Sequence, residues 1–194
     1  MSEQNNKRYI LEWIDANRKP FEEMALAIWA QPEMAHQEHI AAKLQMEFMR
    51  GQGFTVTQKE GMETAFMAEW GQGGPVIGML GEYDALAGLS QTASIQKEPL
   101  AQGAPGHGCG HNRLGVGCMQ AACALKEALT AAKLPGRVRY YGCPAEEVLT
   151  GKGEMAKLGY FDSLDMALTW HPNDVTYVTG ATMTALFSAK FRFK

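Results

Sequence analysis

Val76-Ile77-Gly78-Met79-Leu80 has no polar side chain; strands read this way when an α/β sheet buries both of their faces. Just upstream, Gly71-Gln72-Gly73-Gly74-Pro75 is a turn, preceded by β-like segments at 54–57 and 65–70. Downstream, from Gly81 to Gly110, the chain is rich in Gly, Ser, Gln and Pro and loses periodicity. An aperiodic stretch of that length in a compact domain is usually functional or disordered. Regular elements then resume. A helix runs from His111 to about Lys133, dense in Ala and Leu and stopped by Pro135-Gly136, and a strand follows at Val138 to Cys143. A short helix at Gly153 to Leu158 and a strand at Met166 to Trp170 complete the alternation. Strand alternating with helix predicts an α/β fold, with helices covering a mixed, largely parallel sheet.

The flanks are simpler. Ile10, Leu11, Ile14, Met24, Ala27 and Ile28 recur at helical spacing, which predicts a helix over 7–30 with a break at Pro20. Ile40, Leu44, Phe48 and Met49 form a second amphipathic face, ended by Gly51 and Gly53. At the other end Phe187, Ala189, Phe191 and Phe193 alternate with Ser188, Lys190, Arg192 and Lys194, a period-two strand that stops without a turn or cap. The expectation is a chain incomplete at its C-terminus, with a partner strand missing.

Composition narrows the function classes. A chain of 194 residues, 46% hydrophobic, can bury one sizeable core. A net charge of -3 and a pI near 6.0 leave no electrostatic footprint for nucleic acid or an anionic membrane surface. The longest clean apolar run, Met24 to Ala30, is far below the ~20 residues a membrane helix needs. The first twenty residues lack a signal-peptide pattern, and four unevenly spaced cysteines suggest no disulfide framework. A cytoplasmic location is the expectation.

Three segments carry the chemistry. In Gly106-His107-Gly108-Cys109-Gly110-His111-Asn112 a cysteine and a histidine stand two apart among glycines, immediately before a helix. Glycine lets a backbone bend closely round an ion, and a helix N-terminus lowers a thiol pKa, favouring metal ligation or nucleophilic attack. His107 adds a third candidate donor. Glu146 and Glu147 follow the strand that ends at Cys143, where α/β enzymes place reactive groups. Adjacent residues there point apart, so one can hold a metal while the other reaches a water; a solvated acidic pair is the bland alternative. His171 follows the run Met166 to Trp170, and Asp84 follows the buried strand at 76–80, placed to orient a ligand. His36 and His39 fall on a polar helical face and are expected to be solvated. A rival reading makes Cys109 the nucleophile and His111 the base of a thiol hydrolase. It leaves Glu146 and Glu147 without a role.

Taken in order, Gly-Glu-Tyr-Asp-Ala-Leu (81–86), Gly-His-Gly-Cys-Gly-His-Asn (106–112), Cys-Pro-Ala-Glu-Glu (143–147) and Thr-Trp-His-Pro (169–172) resemble the metal-dependent amidohydrolases of the aminoacylase and carboxypeptidase superfamily. The resemblance covers essentially the whole chain. It implies a zinc-peptidase-like three-layer α/β sandwich and a centre of two divalent ions, manganese or zinc. By that resemblance Cys109 bridges the ions, His111, Glu147 and His171 are further ligands, and Glu146 is the general base. Asp84, His107 and Asn112 are supporting residues, Asn112 standing where many relatives carry Asp. The implied substrate is a small-molecule amide, an N-acyl or aminobenzoyl amino acid. The family also carries a late ligand histidine and an inserted dimerisation domain, neither of which is found in these 194 residues. The resemblance therefore implies that 1–194 is the N-terminal portion of a catalytic domain, and that the intact form is a dimer or heteromer. The alternative is a non-catalytic fragment with a partial metal site.

Overall fold

A computed structural model describes residues 3–178, 189 and 191–193. Three helices open the chain: α1 (Glu3–Ala16), α2 (Arg18–Trp29) and α3 (His39–Gly51). The expected break at Pro20 lies instead at Asn17, and Pro20 sits inside the first turn of α2. The first-turn amides of a helix have no intrahelical acceptor, so a proline there costs no hydrogen bond. Then follow β1 (Thr55–Thr57), β2 (Phe66–Gln72), β3 (Val76–Glu82), the long α4 (His111–Ala132), β4 (Gly136–Cys143), α5 (Gly151–Lys157) and β5 (Met166–Leu168). The expected period-two strand at 187–193 falls largely outside the described residues.

The sheet order is β1-β2-β4-β3-β5. The pairs β4–β3 and β3–β5 are parallel, whereas β1–β2 and β2–β4 are antiparallel, so the sheet is mixed in equal parts. Alternation along β4 shows how its two faces are used. Val138 and Tyr140 join the core formed with α2, α3 and α4, and Tyr141 and Cys143 join a second core with Met155 of α5 and Tyr160. The result is three layers: α1–α4, the sheet, and the α5 segment.

Helix α4 lies between the sheet and helices α1 and α2, and its small residues let it approach both, while α3 packs on β1 and β2. A Cβ at Gly115 would lie 2.4 Å from the Glu82 carbonyl oxygen, so the N-terminal turns of α4 rest directly on the end of β3. The loop between β3 and α4 is pinned rather than free. Ala85 bridges Met34, Leu86 bridges Gly106, and the Ser90 amide donates to the Ala104 carbonyl at 3.0 Å.

The crossovers place the site. From β3 the chain passes through α4 to β4 on one side, then returns through α5 to β5 on the other side of β3. The carboxyl ends of β3, β4 and β5 therefore open onto one crevice beside the N-terminus of α4, the place where open α/β sheets bind ligands. Among the described residues no helix is long and apolar enough to cross a membrane.

Candidate metal centre

Four chain segments meet in this crevice. Glu82 ends β3 and Asp84 follows it by two residues, so both side chains leave the same face. Gly110, in the left-handed region at φ 79°, turns the loop into α4 and makes His111 the first residue of the helix. Glu146 and Glu147 follow β4 after Ala145, whose amide donates to the buried Glu38 carboxylate at 2.8 Å. Beyond β5 the Thr169 hydroxyl donates to the Leu80 carbonyl at 3.0 Å and the Trp170 indole to the Leu114 carbonyl at 3.3 Å. Those two bonds lay the strand end across α4 and carry His171 over to Cys109.

His111 is the hub. Fully buried, it donates from Nδ1 to Asp84 Oδ1 at 2.8 Å, and Asp84 Oδ2 accepts the Glu147 amide at 2.8 Å. One buried carboxylate thus orients a histidine ring and the carboxylate-bearing turn together. With Nδ1 committed, Nε2 faces Glu82 Oε2 at 3.1 Å, Glu146 Oε2 at 3.8 Å and Glu147 Oε1 at 3.8 Å. The partner set is the arrangement that fixes the tautomer of a metal-binding histidine. His171 repeats it: its Nδ1 donates to the Pro172 carbonyl at 2.9 Å, and its Nε2 lies 3.2 Å from Cys109 Sγ. The two imidazole rings stand edge to face, 5.8 Å apart.

The site's polar atoms test whether cations fit it. Glu82 Oε2, His111 Nε2 and Glu147 Oε1 are buried and have no hydrogen-bond partner. Buried acceptors without partners cost free energy, and acceptors facing one another repel. Two ligand sets converge, Cys109–His111–His171 and Glu82–His111–Glu146, each with its donor atoms within 4.8 Å of one another. Cationic ligands would satisfy what the protein leaves open, so the residues present fit a metal centre. Soft sulfur and imidazole suit zinc, and the carboxylates also suit manganese.

Titration behaviour follows from the same crowding. Burial, then Glu147, Glu146 and Glu82, push the Cys109 thiol up to about 11. The helix terminus predicts a lowered thiol pKa; burial, and then the surrounding carboxylates, outweigh that dipole. Cys109 does lie at nucleophile–base distance from a histidine, but from His171 rather than His111, and a raised thiol pKa is the opposite of an activated nucleophile. For His111, burial alone would lower the pKa; the Asp84 hydrogen bond and the Glu82, Asp84 and Glu147 charges reverse this and raise it. Burial, then Glu82, also holds the Glu146 carboxyl above its usual range.

Of the residues singled out from sequence, the structure brings Cys109, His111, Glu146, Glu147, His171 and Asp84 together. His107 and Asn112 stand apart from the cluster and tie the loop and α4 to α2. His107 Nε2 donates to the Ile28 carbonyl at 3.2 Å, and Asn112 Nδ2 to the Ala25 carbonyl at 3.1 Å. Burial lowers His107 to about 4, leaving it neutral. His36 and His39 are exposed as expected, His36 in a turn rather than on a helix, where its ring meets the Thr150 hydroxyl at 2.9 Å. Sequence reasoning passed over Glu82 and Lys152. A signal was present in Glu82, a charged residue closing an apolar strand two positions before Asp84. A cavity of about 640 Å³ lies at the opposite end of the sheet around Gly73, Arg137 and Asp165, where no set of ligand side chains converges among the described residues.

No family model matches the chain. It is 44% identical over 189 residues, 96% of its length, to one of the subunits of p-aminobenzoyl-glutamate hydrolase of Escherichia coli. It is also 33% identical over 180 residues, 86% of its length, to the Xaa-Arg dipeptidase of Mus musculus. It spans about two-fifths of these relatives, 39% and 38% of their respective lengths. Among solved structures, a dinuclear metal-binding peptidase of the M20 family from Bacillus subtilis superposes with a TM-score of 0.68 at 22% identity, over 79% of this chain and 42% of that one. An aminobenzoyl-glutamate utilization protein from Klebsiella pneumoniae superposes with a TM-score of 0.58 at 16% identity, over 81% of this chain and 44% of that one. The chain is a homologue of the p-aminobenzoyl-glutamate hydrolase of Escherichia coli and has the α/β fold of the M20 dinuclear metal-binding peptidases.

Proposed function

We propose that the protein to which this chain belongs hydrolyses the amide bond of an N-acyl or aminobenzoyl amino acid, of the aminobenzoyl-glutamate type. The observation that carries the reading is the buried, unpartnered His111 Nε2, with the equally unpartnered Glu82 Oε2 at 3.1 Å and Glu147 Oε1 at 3.8 Å, shared by the converging sets Cys109–His111–His171 and Glu82–His111–Glu146. Cys109, His111, Glu147 and His171 would hold two divalent ions, zinc or manganese. When bound, such ions supply Lewis acidity, lowering the pKa of water and polarising a carbonyl.

The chain's own residues divide the remaining work. Glu146 and Glu147 stand equally far from His111 Nε2, but the Glu147 side chain is the more buried, 16% against 29% exposed. Glu147 suits a ligand; Glu146, open to the crevice, suits the general base. Its raised carboxyl pKa helps it keep the proton it takes from water until the leaving amine needs it. Asp84 holds His111 and the Glu147 turn in register. Under this reading residues 1–194 form the metal-binding part of a catalytic domain. The substrate pocket draws on further chain of the kind the longer relatives carry, and a heteromeric assembly accords with a relative that is itself a hydrolase subunit.

The test is amide hydrolysis by the full-length protein, loaded with zinc or manganese and assayed on aminobenzoyl-glutamate. Glu146→Gln is expected to keep its metal content while turnover falls by roughly 10²–10⁴. Full activity in that variant, or in protein stripped of metal, would overturn the mechanism.

A further inference from the structure

Glu82 and Lys152 stand beside the expected ligands with a geometry those ligands do not explain. Glu82 is 6% exposed, and its two oxygens are used differently. Oε1 accepts the Lys152 ammonium, delivered by the first turn of α5. Oε2 has no partner and lies 3.1 Å from His111 Nε2, which has none either. Asp84 holds the ring through Nδ1, and at Nε2 the two polar atoms stand in contact without a hydrogen bond between them. Donors ~2.1 Å from a shared ion and subtending about 90–110° at it lie about 3.0–3.4 Å apart. The observed separation falls in that range. Glu82 Oε2, His111 Nε2 and a Glu146 oxygen also form one converging set.

We propose that Glu82 is an additional carboxylate ligand of the centre, and that Lys152 is its positioning residue. The ammonium holds Oε1 and leaves Oε2 alone to face the ion, so Glu82 binds through one oxygen. It also offsets one of the four carboxylates, Glu82, Asp84, Glu146 and Glu147, crowded round the site. This assignment rests on the metal-centre reading above.

The experiment measures metal affinity and coordination, independently of turnover. Full-length protein is stripped, titrated with zinc against a competing chelator, and loaded with cobalt(II), whose absorption reports coordination number and thiolate ligation. Wild type is expected to bind two ions. Glu82→Gln, which removes a ligand, is expected to weaken one of them by ~100-fold or more and change the cobalt spectrum, and Lys152→Met by ~10-fold, the lower end of what an outer partner contributes. Glu82→Asp should recover part of the loss, and Lys152→Met in a Glu82→Gln background should add nothing, since the lysine acts through the carboxylate. A merely structural ion pair would lower the melting temperature of every variant and leave affinity and spectrum unchanged. Two ions at unchanged affinity in Glu82→Gln, with wild-type spectrum, would overturn the assignment while leaving the centre standing. A wild-type protein that takes up no ions would overturn both.

Discussion

Asp84→Asn puts the buried scaffold of the site to its sharpest test. Asp84 is 1% exposed and accepts two hydrogen bonds, from the His111 ring N–H and the Glu147 amide, each at 2.8 Å. Both partners are donors. A carboxylate satisfies both, but an amide of the same shape has one acceptor oxygen and one NH₂. If its oxygen keeps Glu147, its NH₂ faces His111 Nδ1, and the ring must move its proton to Nε2, the atom expected to bind metal. If its oxygen keeps His111, an amide N–H is buried against an NH₂. An unsatisfied buried donor costs about 1–3 kcal/mol, and a hydrogen bond to a charged group contributes about 1.5–3 kcal/mol. At ~1.4 kcal/mol per tenfold, the expected loss of metal affinity is about 10–100-fold, the range found for outer partners of ligand histidines. In metal-free protein the lost bonds are partly offset, because the substitution removes one charge from a crowd of carboxylates. Metal affinity, measured by competition with a chromophoric chelator, is therefore the cleaner readout. A folded Asp84→Asn protein with wild-type affinity would refute the claim that this carboxylate sets the His111 tautomer.

Two further predictions concern packing and pH. Gly115→Ala gains about 1 kcal/mol of helix propensity, yet its Cβ would meet the Glu82 carbonyl oxygen at 2.4 Å. Overpacking of this kind costs about 1–3 kcal/mol, so a lower melting temperature is expected, with weaker metal binding as α4 is pushed off β3; a stabilised variant would show that the contact relaxes freely. Glu38 is buried, with Oε2 unpartnered, and burial raises its carboxyl pKa despite hydrogen bonds from backbone amides, including that of Ala145. The unfolded chain therefore loses this proton first, near pH 4.5, and native stability falls as pH rises through the higher folded value. Glu38→Gln keeps an acceptor for Ala145 and should gain on wild type in melting temperature as pH rises from 4 to 7; a constant difference across that range would contradict it.

Much of this molecule was legible locally. The apolar run at Val76 to Leu80, the Ala-rich helix after Gly110 and the run ending at Cys143 are set by side-chain pattern within a few residues of each position, and the structure forms β3, α4 and β4 there. Ligand-type residues were legible for the same reason: thiol, imidazole and carboxylate chemistry is written in single letters beside strand ends and helix starts. What pairs with what was not. The antiparallel half of the sheet follows from β2 meeting β4 across more than sixty residues, a choice made by burial on both faces. The helix break moved from Pro20 to Asn17 because a first-turn proline removes an amide that no helix uses. Cys109 reads locally as a thiol at a positive helix end, and only the fold supplies the burial, and then the approach of Glu147, Glu146 and Glu82 from other segments, that push its pKa to about 11. His107 and Asn112 sit inside the ligand motif by number, yet the fold turns them towards α2. Sequence by itself determined the elements and the chemical types available to the site, because propensity and donor identity are properties of single residues. Tertiary structure alone decided that Glu82 faces His111 and that Lys152 restrains it, because electrostatic environment and ligand geometry depend on distances between segments that the chain order does not contain.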